Sequence, residues 1–388
     1  MAQEVPYQPR RPAGVPADAV LPAPRRPRVR SVLLWIGLGV LLLGCGLLSL
    51  LLITTETGFL GLVTGLVLAA VPVFPVVATF LWLDRYEAEP PALLALTFAW
   101  GAAVATFGAL VVNTASNAAI KAAGGDVSTT AVFVAPFVEE AMKGSAVLLI
   151  LLVRRREFDG VVDGIVYAGM AGIGFAFVEN VLYLGRTLSE SGGTGVVFVF
   201  VLRCLVSPFA HPLFTAATGV GLGIAATTRN PLLKVFAPVA GYATAVVLHG
   251  AWNLSAASGF AGFATAYVLF QLPVFAAVAT LALYARRREG RLVARHLAVY
   301  GGTGWLTPAE VSMLASLPAR RDARHWAGRT GGPAARRAMR DFQELASELA
   351  FLRERMAHGT APGDARQQEY SMLASLSSLR GAFLPRWT

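Results

Sequence analysis

The residues most able to do chemistry sit where lipid is expected. The run AVFVAPFVEEAMKGSAVLLILLV, residues 131–153, is apolar except around Glu139, Glu140 and Lys143. Spacings of four and three residues place the lysine on the same helix face as each carboxylate. Ionisable side chains inside a membrane are costly, and each needs a reason. Two adjacent carboxylates do not both ionise easily in a low dielectric, which leaves one suited to taking and returning a proton. Lys143 then holds its partner ionised. A charge-neutralised helix contact is the alternative, but two acids and one base leave a surplus negative group.

Three later segments carry related groups. In DGIVYAGMAGIGFAFVENVLYL, residues 163–184, Gly164, Ala168, Gly172 and Ala176 recur every four residues, a small-residue stripe that lets another helix approach closely. Asn180 continues the stripe, and Glu179 lies beside it. Further on, Arg203, Ser207, His211 and Thr215 also repeat every four residues and form one polar edge. A neutral imidazole at His211 can accept a proton or bind a metal, or it can serve as a satisfied packing histidine. In VLHGAWNLS, His249 and Asn253 stand one turn apart. Such a pair can steady an oxyanion or make a helix-to-helix hydrogen bond.

The elements that must position these groups read as membrane spans. Of 388 residues, 55% are hydrophobic and 14% charged, against roughly 25% charged in soluble domains. Mean hydropathy is +0.58. The expected class is all-α, a polytopic helix bundle of about eight spans with a small helical cytoplasmic C-terminal region. The spans fall near 31–53, 59–83, 92–113, 131–153, 161–184, 195–228, 235–257 and 261–284, each long enough for a hydrocarbon core that needs about 20 residues. The sixth is too long for one crossing, and Ser207, Pro208 and Pro212 predict a kinked or broken helix. Short loops near 54–58, 114–130, 185–194 and 258–260 then carry only Lys121 and Arg186 as cations, and the loops on the other side carry the rest. That sorting puts both termini in the cytoplasm. It also places Glu139, Glu140, Glu179 and His249 in the outer half of the bilayer, with His211 near the middle.

Net charge is +10, but its distribution excludes a nucleic-acid groove. Residues 1–30 hold six basic against two acidic groups, residues 31–284 ten against twelve, and residues 285–388 seventeen against nine. The basic ends suit an anionic membrane face. Residues 1–30, with seven prolines, read as a disordered cytoplasmic arm. Cys45 and Cys204 read as small buried hydrophobes rather than a disulfide or metal pair. Residues 285–388 read as a helical docking or regulatory region. Thr307-Pro308-Ala309-Glu310 is a capping box. Phe342, Leu345, Leu349, Leu352 and Met356 form one apolar seam, and SMLASL occurs at both 312–317 and 371–376.

In order along the chain, PFVEEAMKG, GFAFVEN, SPFAHPLFTAATG and LHGAWN resemble the four motifs of the PrsW family of bacterial intramembrane proteases, in the CAAX-protease and bacteriocin-processing superfamily. LDRYEAEPP at 83–91 is similar to that family's cytoplasmic loop, and the resemblance covers about 80–285. It implies hydrolysis of a peptide bond in a membrane-anchored protein, anti-sigma-factor-like in the founding case, on the extracytoplasmic side of the bacterial plasma membrane. Glu139 or Glu140 with His211 would hold the attacking water. His249 and Asn253 would steady the oxyanion, and Lys143 would set the ionisation of the glutamate pair. Asn180 and Arg203 would support the site, and Glu179 would bind metal or hold His249 in one tautomer. His211, His249 and Glu179 are the candidate ligands of a catalytic zinc, and a metal-free glutamate mechanism stays equally open. A proton- or ion-coupled transporter and a non-enzymatic scaffold are the rival classes. The first should show inverted halves and a polar path to both faces, and the second needs no convergence of acids and histidines.

Overall fold

The computed structural model describes residues 29–158 and 160–384, so residues 1–28 of the expected N-terminal arm lie outside the described part. Every regular element among the described residues is helical. They are α1 Val29–Leu83, α2 Pro91–Trp100, α3 Thr106–Ala122, α4 Ala135–Val153, α5 Val161–Phe200, α6 Ala210–Thr227, α7 Pro231–Ala257, α8 Gly259–Ala266, α9 Leu272–Gly301, α10 Pro308–Leu314, α11 Leu317–His358 and α12 Ala365–Phe383. Wide π-helical turns precede α3 and α4, follow α5 and precede α9. The described residues form two compact units, one of 29–84 with 89–283 and the other of 85–88 with 284–384.

Among the described residues, five helical stretches are long and apolar enough to cross a membrane: Leu33–Leu83, Pro91–Ala122, Val161–Thr227, Pro231–Ala257 and Gly259–Gly301. Two of them are not straight rods. Gly58 (φ 70°, ψ 170°) divides α1, and Gly192 (φ 65°, ψ −164°) divides α5. Both sit in backbone conformations that a Cβ disfavours, so glycine is what allows each break. The loop expected at 185–194 is therefore mostly helix, with the chain turning at Gly192 alone. Between α5 and α6 the helix opens at 207–209, as the Ser-Pro pair predicts. α4 has the length of a span, and its three charged side chains Glu139, Glu140 and Lys143 are all buried.

The small-residue stripe of α5 does what its spacing predicts. A Cβ added to Gly164 would meet Gly219 O at 2.1 Å, and one on Gly172 would meet Pro212 Cα at 2.7 Å and His211 C at 3.0 Å. α6 thus lies backbone to backbone on α5, and Gly172 seats the turn that bears His211. Two further contacts tie the second long stretch to α4. Trp100 Nε1 donates to Met142 O and Ser145 Oγ, both at 3.2 Å. A Cβ on Gly108 would lie 3.2 Å from Met142 Sδ. α7 starts cleanly, with the Asn230 side chain accepting from Leu232 N and Pro231 in the first turn.

The second unit has its own core, in which Leu297, Leu314, Phe342, Leu349, Leu373 and Leu376 are almost fully buried. Both SMLASL copies contribute to it, as does the seam of α11. The capping box is present: Glu310 N donates to Thr307 Oγ1, and Thr307 N donates to the Glu310 carboxylate. Arg320 is buried and donates to Leu314 O at 2.6 Å, Ser347 Oγ at 2.6 Å and Tyr86 O at 3.2 Å. Burial pushes its guanidinium down to about 10.

Candidate active site

The site grows out of α4. Glu139 and Glu140 occupy its second turn, and Glu140 and Lys143 are wholly buried, with no measurable exposure. A buried charge is tolerable only when paired and hydrogen-bonded. Glu140 meets that condition on both oxygens. Lys143 Nζ lies 2.5 Å from Oε1, His249 Nδ1 lies 2.9 Å from the same oxygen, and Thr215 Oγ1 donates to Oε2 at 2.8 Å. Lys143 also reaches His211 Nδ1 at 3.3 Å and sits 4.4 Å from the centroid of Phe175. Of the two carboxylates at helical spacing from the lysine, Glu140 takes the ion pair.

Glu139 is held differently. Asn113 Nδ2 donates to its Oε1 at 3.2 Å, while Oε2 is buried with no hydrogen-bond partner. His249 Nε2 is 3.7 Å from that oxygen, too far for a direct bond and within reach of one shared water. The two imidazoles stand edge to face, with centroids 5.0 Å apart, and Phe214 stacks on His249 at 5.3 Å. Glu179 closes the other side. It pairs with Arg203, and His211 Nε2 lies 2.8 Å from its Oε2. Arg203 Nε donates to Asn180 Oδ1 at 2.7 Å, and the guanidinium lies 4.1 Å from the centroid of Tyr183. Beside this group a cavity of ≈ 10 Å³, about the space of one water, is lined by Asn180, Arg203, Ser207, Pro208, His211 and Trp252, with Ala176 and Ala210 completing its wall.

Glu139, Glu140, Lys143, His211, His249, Glu179, Asn180 and Arg203 therefore form one connected polar cluster from four helices and the turn after α5. Asn253 does not join it, because its amide donates to Ala131 O at 2.8 Å, a helix-to-helix bond. Glu179 faces His211 rather than His249, whose Nδ1 is held by Glu140. Two participants were not among the expected site residues. Thr215 lay on the polar edge with His211, a signal pointing to it. Asn113 is the last residue of the expected third span, and nothing in its spacing tied it to the carboxylates of α4.

Fold and site together define a multi-pass helical membrane protein built around a buried carboxylate–imidazole centre. Residues 89–278, just under half of the chain, match the family described as PrsW family intramembrane metalloprotease. The matched span lies inside the 80–285 outlined by the motifs. The chain is 32% identical over 142 residues to Protease PrsW of Oceanobacillus iheyensis, and 28% identical over 150 residues to Protease PrsW of Clostridioides difficile. These alignments cover 37% and 38% of this chain and 59% and 61% of the relatives' own lengths. No solved structure matches.

The family description implies a metal, and the donor chemistry fits one. One ligand atom each from Glu139, His211 and His249 lies within 4.8 Å of the others, and all three residues are buried. Glu139 Oε2 has no competing partner. His249 is oriented through its other nitrogen by a carboxylate, the arrangement that presents imidazoles to metals. The carboxylate in this set is Glu139, in place of the expected Glu179, whose oxygen is engaged by Arg203 and His211. A two-histidine, one-carboxylate set is one that catalytic zinc uses.

Proposed function

We propose that this chain is an intramembrane endopeptidase that hydrolyses a peptide bond of a membrane-anchored protein near the extracytoplasmic side of a bacterial plasma membrane. The carrying observation is the meeting of Glu139, His211 and His249 in one buried cluster in which Glu139 Oε2 is left without a hydrogen-bond donor. A polar network that served packing alone would be expected to fill that atom.

Glu139 is the general base. Its free oxygen takes the proton of the attacking water and returns it to the leaving amine. Glu140, saturated by Lys143, His249 and Thr215, is the fixed charge that holds His249 with Nε2 turned toward Glu139. Arg203 with Glu179 orients His211 from the other side. In a metal-bound form Glu139 would instead serve as a ligand with His211 and His249, and the metal, in place of the free Oε2, would supply the activated water and a polarised carbonyl.

The spans support eight crossings with both termini cytoplasmic. The divided α1 provides two. The α2–α3 stretch, α4, the first half of α5, its second half with α6, α7 and the α8–α9 stretch provide the rest. The test is cleavage of a single-span reporter by the full chain in proteoliposomes. Glu139→Gln and Glu140→Gln should each abolish it, and full cleavage by both variants removes the protease reading.

A further inference from the structure

Asn113 stands in α3, at the end of the apolar run ALVV and the start of the polar run NTASN, opposite the second turn of α4. The Trp100 and Gly108 contacts with Met142 and Ser145 fix the register between the two segments. Its Nδ2 donates to Glu139 Oε1 at 3.2 Å. That bond settles the amide's orientation, since only its N–H side can face a carboxylate oxygen. Asn113 Oδ1 is consequently turned elsewhere, and it is buried with no hydrogen-bond donor. Glu139 Oε2 is in the same condition. Two neighbouring side chains thus each leave one buried acceptor unmet, in a structure where Glu140 has every oxygen occupied. Buried acceptors are seldom left bare, and a water has two hydrogens to give.

We propose that Asn113 is a positioning residue of the site: its amide sets the Glu139 carboxylate through Oε1, and its carbonyl orients the attacking water that Oε2 deprotonates. The inference rests on the hydrolase reading. A purely structural role would satisfy Glu139 equally well, but it gives no reason for two acceptors to be left facing no donor. Asn113→Asp keeps the shape and loses the N–H that the carboxylate needs, while Asn113→Ala removes both functions.

Two readouts test it on the full chain in proteoliposomes. The infrared difference spectrum of wild type against Glu139→Gln isolates the absorption of the Glu139 side chain. The same difference taken in the Asn113→Ala and Asn113→Asp backgrounds should show that band displaced, and an unmoved band in both overturns the proposal. On the single-span reporter, each variant should lose about 10–100-fold in kcat with KM unchanged, the loss typical when a supporting partner is removed. Wild-type kcat in Asn113→Asp, or a loss confined to KM, also overturns it. Failure of the wild-type chain to cut the reporter counts against the hydrolase reading instead, and the infrared band still reports whether Asn113 holds Glu139.

Discussion

Two regions of this chain bury charge, and they finish the job differently. In the C-terminal unit, Arg320 donates to two carbonyls and a serine, and Glu369 accepts from Tyr300 at 2.5 Å and pairs with Arg353 at 3.1 Å. Those groups are closed on their neighbours. In the α4 cluster Glu140 is closed in the same way, yet Glu139, one residue earlier, keeps an oxygen without a partner. Closure is what stability asks of a buried polar group. An acceptor left open beside two imidazoles is what proton transfer asks.

The contrast can be broken by substitution, beginning with the largest expected effect. Glu140→Gln leaves Lys143 buried without its counter-charge, so the chain should lose about 3–5 kcal/mol of stability together with activity, read as a lower thermal midpoint in detergent. Arg320→Ala strips partners from buried carbonyls and should cost about 1–3 kcal/mol in the same assay. Reporter cleavage per folded molecule should be unchanged. If Arg320→Ala lowers cleavage at full stability, the division between a structural and a reactive network fails. Gly172→Ala forces a Cβ to 2.7 Å from Pro212 Cα and should cost about 1–3 kcal/mol while displacing His211. A variant that melts and cleaves like wild type would show that α6 tolerates the shift.

A further effect is one of pH. Asp84, just past the end of α1, accepts from Glu89 N at 2.8 Å, and its Oδ1 is buried without a partner. Burial pushes its carboxyl up from 3.8 to about 8, against the pull of the Glu89 N–H. The folded chain therefore holds a proton that the unfolded chain releases near 3.8. This favours folding at acid pH and is lost as pH rises toward 8. The thermal midpoint should fall between pH 5 and pH 8, and Asp84→Asn should flatten that slope. An unchanged slope in the variant would assign the dependence to other groups.

What the chain made legible followed single-helix periodicity. The i, i+4 stripe of α5 predicted its close partner, the Ser207-Pro208 pair predicted the opened helix, and the Thr307–Glu310 box predicted the start of α10. The edge of Arg203, His211 and Thr215 also led to the site. Spacing along one helix says nothing of what stands across from it. Hence Glu179 was matched to the wrong histidine, Asn253 was placed in the site although its amide binds Ala131, and Asn113 was passed over. The expected turn at 185–194 failed for a related reason. Polar and small residues there suggest a loop, but one glycine at 192 suffices to redirect a helix.

The central claim is that Glu139 Oε2 is the working atom of a hydrolytic site. Its most direct test is the rate at which Glu139→Gln cuts the single-span reporter, with thermal midpoints taken on the same samples. A loss of about 10²–10⁴-fold, the range for a general base, at an unchanged midpoint is the predicted result. Cleavage at the wild-type rate would contradict it, and so would a loss fully accounted for by unfolding.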